Sequence, residues 1–285
     1  MNGQRTDVSY VYAVGRDTPA LGEAVGRIGT AGVAGAPVHV VREAGLGALV
    51  ADVPADRYGE EGFRAQLEDL AALEDTARAH HDVVAAAFAT AVVLPMRLAT
   101  VHRDDESVAR MLAERAAWFE DRLARVDGTL EWGVKVFTDA GRARRSASAE
   151  AAAPPAPAAA AESPGRAYLR RRRAQRDDRD TAHRCAQALT ERVLGTAGEF
   201  AVAGVSHRPH QGHFAPDSGE NVANLAFLVP SARGDAFCAA VRRLDAMARE
   251  GEAPGARVEV TGPWAPYSFA AAEPAGPGPK DAHGR

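Results

Sequence analysis

The sequence has little cysteine, little lysine and no long apolar segment. Cys185 and Cys238 are the only cysteines and lie far apart without CxxC spacing. This excludes a disulfide framework and a thiolate zinc site, so we interpret both as packing residues. No apolar run reaches the roughly 18 residues needed to cross a bilayer, since the longest candidate stops at Pro95.

The charge balance excludes attraction of the whole chain to nucleic acid or to a lipid membrane. The net charge is -4 and the pI is near 6.2, so partners must be recognised by local surface. A hydrophobic fraction of 46% and a charged fraction of 25% are typical of soluble globular proteins. The first residues resemble no secretory signal, and we expect a cytoplasmic protein.

The length of 285 residues predicts two domains. We expect an N-terminal domain over residues 1–139 and a C-terminal domain over 166–270. Residues 140–165 are rich in Ala, Pro and Ser and are predicted to be a linker. The Pro- and Gly-rich residues 271–285 are predicted to be a disordered tail.

Hydrophobic periodicity indicates an α+β fold in both halves. In the first half, the glycines from Gly22 to Gly35 indicate a mobile loop, and Thr129–Thr138 is expected to return to the first sheet as its last strand. Both halves are compatible with a ferredoxin-like plan. The other predicted elements of the first half are strands at Val8–Val14, Pro37–Val41 and Gly45–Val53, and helices from Glu60 to before Pro95 and over Asp104–Val126.

The second half is predicted to follow the order helix, strand, strand, helix, strand. These elements are Arg166–Leu194, Glu199–Val205, Asn221–Val229, Gly234–Glu250 and Ala256–Thr261.

Three histidines form the most enzyme-like feature of the sequence. His207, His210 and His213 would bind a divalent metal if their loop curled, although the spacing matches no metal-site template. An exposed polar loop is the simpler interpretation, and a metal-dependent enzyme remains an alternative. No other group of residues supports a catalytic mechanism or a nucleotide site.

An arginine-rich helix supplies a second alternative, an adaptor for anionic surfaces. Arg170–Arg173 are followed by Arg176, Arg179 and Arg184. Asp177, Asp178 and Asp180 lie between these arginines and neutralise part of the positive field, so a solvated helix face is the simpler interpretation.

Four segments together resemble the gas vesicle GvpF/GvpL family. They are YVYAV at Tyr10–Val14, VLPMRLATV at Val93–Val101, EWGVKVF at Glu131–Phe137 and TGPWAPYSF at Thr261–Phe269. The chain departs from the family pattern LPLRFGTV at Met96, Leu98 and Ala99, and from GPWPPY at Ala265.

The resemblance implies an N-terminal modified ferredoxin-like domain followed by a C-terminal α+β domain. It implies a non-enzymatic factor, without a cofactor or metal, that acts in the assembly or structure of gas vesicles. The implied partners are the hydrophobic shell protein GvpA and other gas vesicle accessory proteins, and the implied location is the gas vesicle.

The aromatic residues of two motifs are our first interaction candidates. We hypothesise that Tyr10, Tyr12, Trp132 and Phe137 line a face or edge of the N-terminal sheet that docks the shell protein. The alternative is that these rings fill the core.

Charged and C-terminal motif residues complete the candidate set. Arg97 and Lys135 are embedded in apolar runs, where a charge needs a partner or exposure on one strand face, and we expect an internal ion pair for each. Trp264 and Tyr267 each follow a proline that holds the backbone extended, offer large apolar area and are expected to seal the seam between the domains.

Overall fold

A computed structural model describes residues 7–29, 32–138, 164–209 and 219–270. The described chain forms two compact units. The first contains the residues up to Gly128 and, again, those from Trp264 onward, while the second contains Thr129–Pro263. In the described residues, no helix combines the length and apolar character that crossing a membrane requires.

The first unit has a mixed set of strands and short helices. Its strands are β1 (Asp7–Arg16), β2 (Val38–Glu43), β3 (Leu46–Pro54), β4 (Val93–Pro95) and β5 (Val101–His102). Its helices are α1 (Pro19–Ile28), α2 (Ala55–Tyr58), α3 (Glu60–Gln66), α4 (Leu70–Phe88), α5 (Asp105–Glu114), α6 (Ala116–Val126) and, in the C-terminal segment, α9 (Tyr267–Ala270), with a 3-10 turn at Val33–Gly35.

The first sheet has the strand order β2-β3-β1-β4, and β5 also pairs with β1. The β1-α1-β2-β3-α4-β4 succession with this order is the ferredoxin-like plan. Helix α4 packs on one face and α5 on the other, because neighbouring residues of β1 point to opposite faces: Ser9 meets Asp105 of α5, and Tyr10 meets His80 of α4.

The predicted hairpin of β2 and β3 is confirmed. Its two-residue turn, Ala44–Gly45, has positive φ at both positions, 51° and 77°, as a type I′ turn requires. The glycine-rich segment before β2 differs from the predicted mobile loop, since much of it forms α1. Leu21, Ala24 and Ile28 lie on the buried side of α1, and burial of this stripe outweighs the entropic cost of the glycines.

The second unit repeats the same plan. Its elements are β6 (Thr129–Thr138), α7 (Pro164–Gly198), β7 (Ala203–His207), β8 (Asn221–Pro230), α8 (Gly234–Met247) and β9 (Ala256–Trp264). The sheet order β7-β8-β6-β9 matches that of the first unit, with β6 in the role of β1. A short 3-10 turn at Ser231–Arg233 precedes α8, and a π-helical turn at Ala248–Glu252 follows it.

The placement of β6 corrects the predicted domain boundary. We expected Thr129–Thr138 to close the first sheet, but β6 pairs with β8 along its whole length, from Thr129 opposite Pro230 to Phe137 opposite Asn221. The first unit therefore ends at Gly128 rather than at residue 139. The end of the predicted C-terminal domain is also wrong, because Trp264–Ala270 belongs to the first unit. The predicted linker lies largely outside the described residues, as does the tail.

Phe237 of α8 lies at the centre of the second core. It is fully buried, and the rings of Trp132, Phe200 and Phe227 lie with centroids 6.1, 6.1 and 5.8 Å from its own. Cys238 and Cys185 pack against the same core as free thiols, which confirms their interpretation as packing residues.

Replacing Phe237 with Ala should destabilise the second unit strongly. The change removes a buried ring that three other aromatic residues contact, and such truncations cost about 3–5 kcal/mol. Urea denaturation measures the loss. The matched control is Tyr168→Ala, because that ring is 60% exposed and its removal should change stability by less than about 0.5 kcal/mol. Equal effects of the two variants would contradict this assignment of the core.

Candidate functional site

Tyr10 and Tyr12 are completely buried in β1, so they cannot form a docking face. Strand β1 is also an interior strand, with β3 on one side and β4 and β5 on the other. The Tyr12 hydroxyl accepts the Val33 backbone N–H at 2.8 Å. The Tyr10 hydroxyl accepts the Ala99 N–H at 3.1 Å and lies 3.0 Å from His80 Nδ1. The core-filling alternative is therefore correct for both tyrosines.

His80 completes this buried polar group from α4. Burial lowers the pKa of its imidazole from 6.5 to about 4, and the Met96 backbone partly offsets the effect. The ring is therefore neutral at neutral pH. Because the Tyr10 oxygen already accepts from Ala99, its own proton is available for His80 Nδ1. Burial also raises the pKa of Tyr12 to about 12.

The VLPMRLATV motif forms β4, a loop over residues 96–100, and β5. The backbone of β1 holds this loop, since Met96 N–H donates to the Tyr12 carbonyl and Val11 N–H donates to the Thr100 carbonyl, each at 2.8 Å. Ala99 adopts a φ of 59°, a conformation that costs an L residue roughly 1–2 kcal/mol and that glycine adopts freely. The family pattern has glycine at this position, so this departure places strain in the loop.

The expected ion pairs of Arg97 and Lys135 are not found in the described part of the chain. Arg97 lies in the loop after β4, where its side chain is exposed. Lys135 lies on β6 and is half-buried, on the face opposite Val134 and Val136. Solvent hydrates the charge of Arg97, so this arginine needs no buried carboxylate as a partner.

Trp132 and Phe137 lie on β6 and therefore belong to the second unit, not to the N-terminal sheet. Trp132 is only 7% exposed and packs against α8, where Gly234 leaves room for its ring. Phe137 is half-buried, and the Arg257 guanidinium lies over its ring at 4.1 Å. The hypothesis of one aromatic face formed by all four residues is therefore wrong.

Trp264 and Tyr267 pack on α4 within the first unit. The centroid of the His81 ring lies 5.6 Å from that of Trp264 and 6.3 Å from that of Tyr267, and the His80 ring lies 6.5 Å from that of Tyr267. Trp264 remains 41% exposed. The motif therefore covers the aromatic cluster around His80. This role differs from the seal between the domains that we expected.

The histidine-loop prediction is only partly within the described residues. His207 is the last residue of β7 and is exposed, whereas His210 and His213 lie outside the described residues.

The first turns of α7 project their charges into solvent. From Gly165 to Arg176 every charged residue is an arginine, and the side chains described there are exposed, including Tyr168 and Leu169 at 60% and 67%. Burial of α7 begins near Ala182. We call residues 164–180 the arginine arm.

An unprotected strand edge is the clearest docking feature of the described surface. Strand β7 pairs with β8 on one side, and its other side pairs with no strand of the described chain. Val202, just before β7, is 62% exposed, and Ala203, Gly204 and Ser206 are exposed as well. We call residues 202–206 the open edge.

Local packing holds the inner side of the open edge against the second unit. The Val202 N–H donates to the Leu228 carbonyl at 2.8 Å. Phe200 enters the core, with the Arg233 guanidinium 5.1 Å from its ring centroid. A side chain at Gly204 would meet the Phe227 ring at 3.2 Å, so glycine permits the close approach. One side of the segment is thereby fixed, and its outer backbone groups face away from the sheet.

The other sheet edges carry the features that usually prevent strand addition. Strand β2 ends in Arg42 and Glu43, and β4 ends in Pro95. Strand β9 carries the Arg257–Glu259 ion pair. Charged residues and proline block edge pairing, and residues 202–206 contain neither. The open edge is therefore the described edge best suited to receive another strand.

Sequence comparison identifies the family. The model of the family described as "Gas vesicle synthesis protein GvpL/GvpF" matches residues 8–271. The chain belongs to this gas vesicle protein family. The family consists of gas vesicle structural and accessory proteins that are not known as enzymes, and the resemblance of the four motifs is confirmed.

Relatives of both types occur in one Streptomyces species. The chain is 41% identical over 263 residues to its gas vesicle protein L, covering 92% of each chain. It is 29% identical over 266 residues to its gas vesicle protein F, covering 92% of this chain and 98% of the relative. The crystal structure of GvpF from Anabaena superposes with a TM-score of 0.63 at 17% identity, covering 94% of this chain and 97% of that one, which shows the shared fold.

Removing the C-terminal motif should destabilise the first unit. A chain that ends at Pro263 loses the Trp264 and Tyr267 contacts with α4, at a cost of roughly 2 kcal/mol or more. Differential scanning calorimetry measures the shift. A chain that ends at Ala270 keeps those contacts and serves as the control. Identical melting of the two truncated chains would show that the motif contributes nothing.

Acidification should destabilise the protein through His80. The unfolded imidazole binds a proton near pH 6.5, whereas the folded one resists protonation down to about pH 4, so stability falls as pH decreases through this window. The loss between about pH 7 and pH 4 is on the order of 3 kcal/mol.

The variant His80→Gln should flatten this part of the pH dependence measured by urea denaturation. Burial also lowers the pKa of His102, which acts in the same direction, so His102→Gln is the companion variant. An unchanged pH profile in His80→Gln would show that this imidazole does not carry the effect.

Proposed function

We propose that this protein is a non-enzymatic assembly factor of gas vesicles that binds the hydrophobic shell protein GvpA in the cytoplasm or at the growing vesicle. The observation that carries the proposal is the family match over residues 8–271 together with 41% identity to a gas vesicle protein L. Other gas vesicle accessory proteins are further candidate partners.

The open edge supports a physical mechanism for this binding. A shell subunit before polymerisation exposes apolar surface and unpaired strand edges, which aggregate unless they are covered. A strand added beside β7 would satisfy backbone groups on both chains, and Val202 would supply exposed apolar contact. The proposed contact therefore moves from the aromatic residues of β1 to the second sheet.

The difference in sequence identity to the two Streptomyces relatives favours an L-type role. Both relatives come from one organism, so their identities of 41% and 29% compare the chain with two family members from the same source. We infer that the chain corresponds to protein L rather than protein F.

The arginine arm favours a second candidate function, an adaptor for anionic surfaces. Its exposed, uniformly basic first turns offer guanidinium groups to phosphate or carboxylate. Salt-sensitive retention on heparin that is lost when these arginines become glutamine would favour this function.

Co-expression with GvpA tests the proposed function. We expect affinity purification of this protein to recover soluble GvpA. The double variant Val202→Lys/Ser206→Lys places charges along the open edge and should lower the recovery at least about tenfold, which corresponds to ~1.4 kcal/mol of binding free energy.

The control variant is Leu70→Lys, which alters a 77% exposed leucine of α4 in the first unit. Its recovery of GvpA should equal that of the wild type. If the wild type recovers no GvpA, shell binding is contradicted. If the double variant recovers as much GvpA as the wild type, binding occurs elsewhere than at the open edge.

A further inference from the structure

Three metal-ligating side chains converge on the face of the first sheet that α5 covers. They are His39 of β2, Asp52 of β3 and Asp105, the first residue of α5. One ligand atom from each lies within 4.8 Å of the other two. We propose that these residues form a site for a divalent transition-metal ion of the zinc type.

The strand register brings the ligands together. His39 pairs with Val50, and Asp52 follows two residues later on the same face of β3. Ser9 pairs with Asp52 on that face as well. Asp105 comes from helix α5, which packs on this face of the sheet. Asp104 caps the helix by accepting the Ser107 N–H at 2.8 Å, and this cap fixes where the helix begins. The three ligands therefore come from three separate elements of secondary structure.

Hydrogen bonds already orient two of the ligands. His39 Nε2 lies 2.9 Å from Asp105 Oδ2, and the Ser9 hydroxyl donates to Asp105 Oδ1 at 2.8 Å. This arrangement points the Nε2 atom of His39 toward the site and holds the carboxylate of Asp105 from two sides. A hydrogen bond from an outer residue such as Ser9 is the usual support of a ligating carboxylate.

The ligand set selects the class of metal. Zinc binds imidazole nitrogen and carboxylate oxygen at about 2.0–2.2 Å, so ligand atoms in a tetrahedral site lie ~3.3 Å apart. The three ligand atoms lie within 4.8 Å of one another, so a bound zinc ion would have to draw them together to this separation. Imidazole favours zinc and its neighbours, whereas calcium and magnesium prefer oxygen ligands alone.

Exposure makes the site accessible to a hydrated ion. The His39 and Asp105 side chains are 38% and 46% exposed, and Asp52 is exposed. Three protein ligands leave a coordination position for water or for a ligand from a partner. A bound ion would fasten the edge strand β2 to β3 and α5, and so would stabilise the first unit.

Zinc titration of metal-free protein tests the site. Wild-type protein should bind one zinc ion per chain that Asp52→Asn protein does not bind, as measured by calorimetry and by metal analysis after gel filtration. Zinc should raise the melting temperature of the wild type but not that of the variant, whereas calcium and magnesium should raise neither. Because Asp52 is exposed, the variant should melt like the wild type when no metal is present.

A second variant and a control complete the experiment. His39→Gln removes the imidazole and should abolish the same binding event, while His183→Gln alters a histidine of α7 and should leave it intact. Cobalt should give the visible absorption of a low-symmetry site in the wild type and in His183→Gln, but not in Asp52→Asn or His39→Gln. Equal zinc stoichiometry in wild type, Asp52→Asn and His39→Gln would overturn the proposal, even if other histidines bind zinc.

Discussion

Strand β1 is buried on both faces, so the polar groups that it carries into the interior must find partners inside the protein. The Tyr10 and Tyr12 hydroxyls meet this constraint through three segments that are distant in sequence: α4, the loop after β4 and the turn before β2. Placing these tyrosines therefore positions three other segments of the first unit. The YVYAV motif determines the architecture of the unit rather than its binding surface.

The same constraint explains two of the other motifs that carry the family resemblance. The loop over residues 96–100 follows β1 through backbone hydrogen bonds and places Ala99 beside the Tyr10 hydroxyl. The C-terminal motif packs its rings beside His80 and His81. Sequence segments at opposite ends of the chain thus contribute to one aromatic cluster in the first core.

Several elements could be predicted because the pattern of apolar residues within one segment was sufficient to identify them. The spans of β8 and α8 follow from hydrophobic periodicity. The partner of β6 could not be predicted, because alternation identifies a strand but does not specify which sheet it joins. Recognising β6 as the first strand of the second half would have completed a repeated βαββαβ order.

The candidate sites were harder to predict than the fold. Aromatic and β-branched residues have the same pattern in a buried strand and in a docking strand, so burial of Tyr10 and Tyr12 is decided only by the layers on both faces. The open edge is identified because one side of β7 has no neighbouring strand among the described residues. No linear sequence motif encodes this feature. His39, Asp52 and Asp105 become neighbours only through strand register and the start of α5.

The first unit is discontinuous, since the second unit is inserted between Gly128 and Trp264. A ribosome synthesises the segment that covers the His80 cluster only after all of the second unit. Because domains tend to fold as they emerge, the nascent first unit is left without Trp264 and Tyr267 until the whole second unit has been synthesised. The aromatic core of the first unit is therefore completed only after the second unit has emerged, and chains that stop before Trp264 lack that closure.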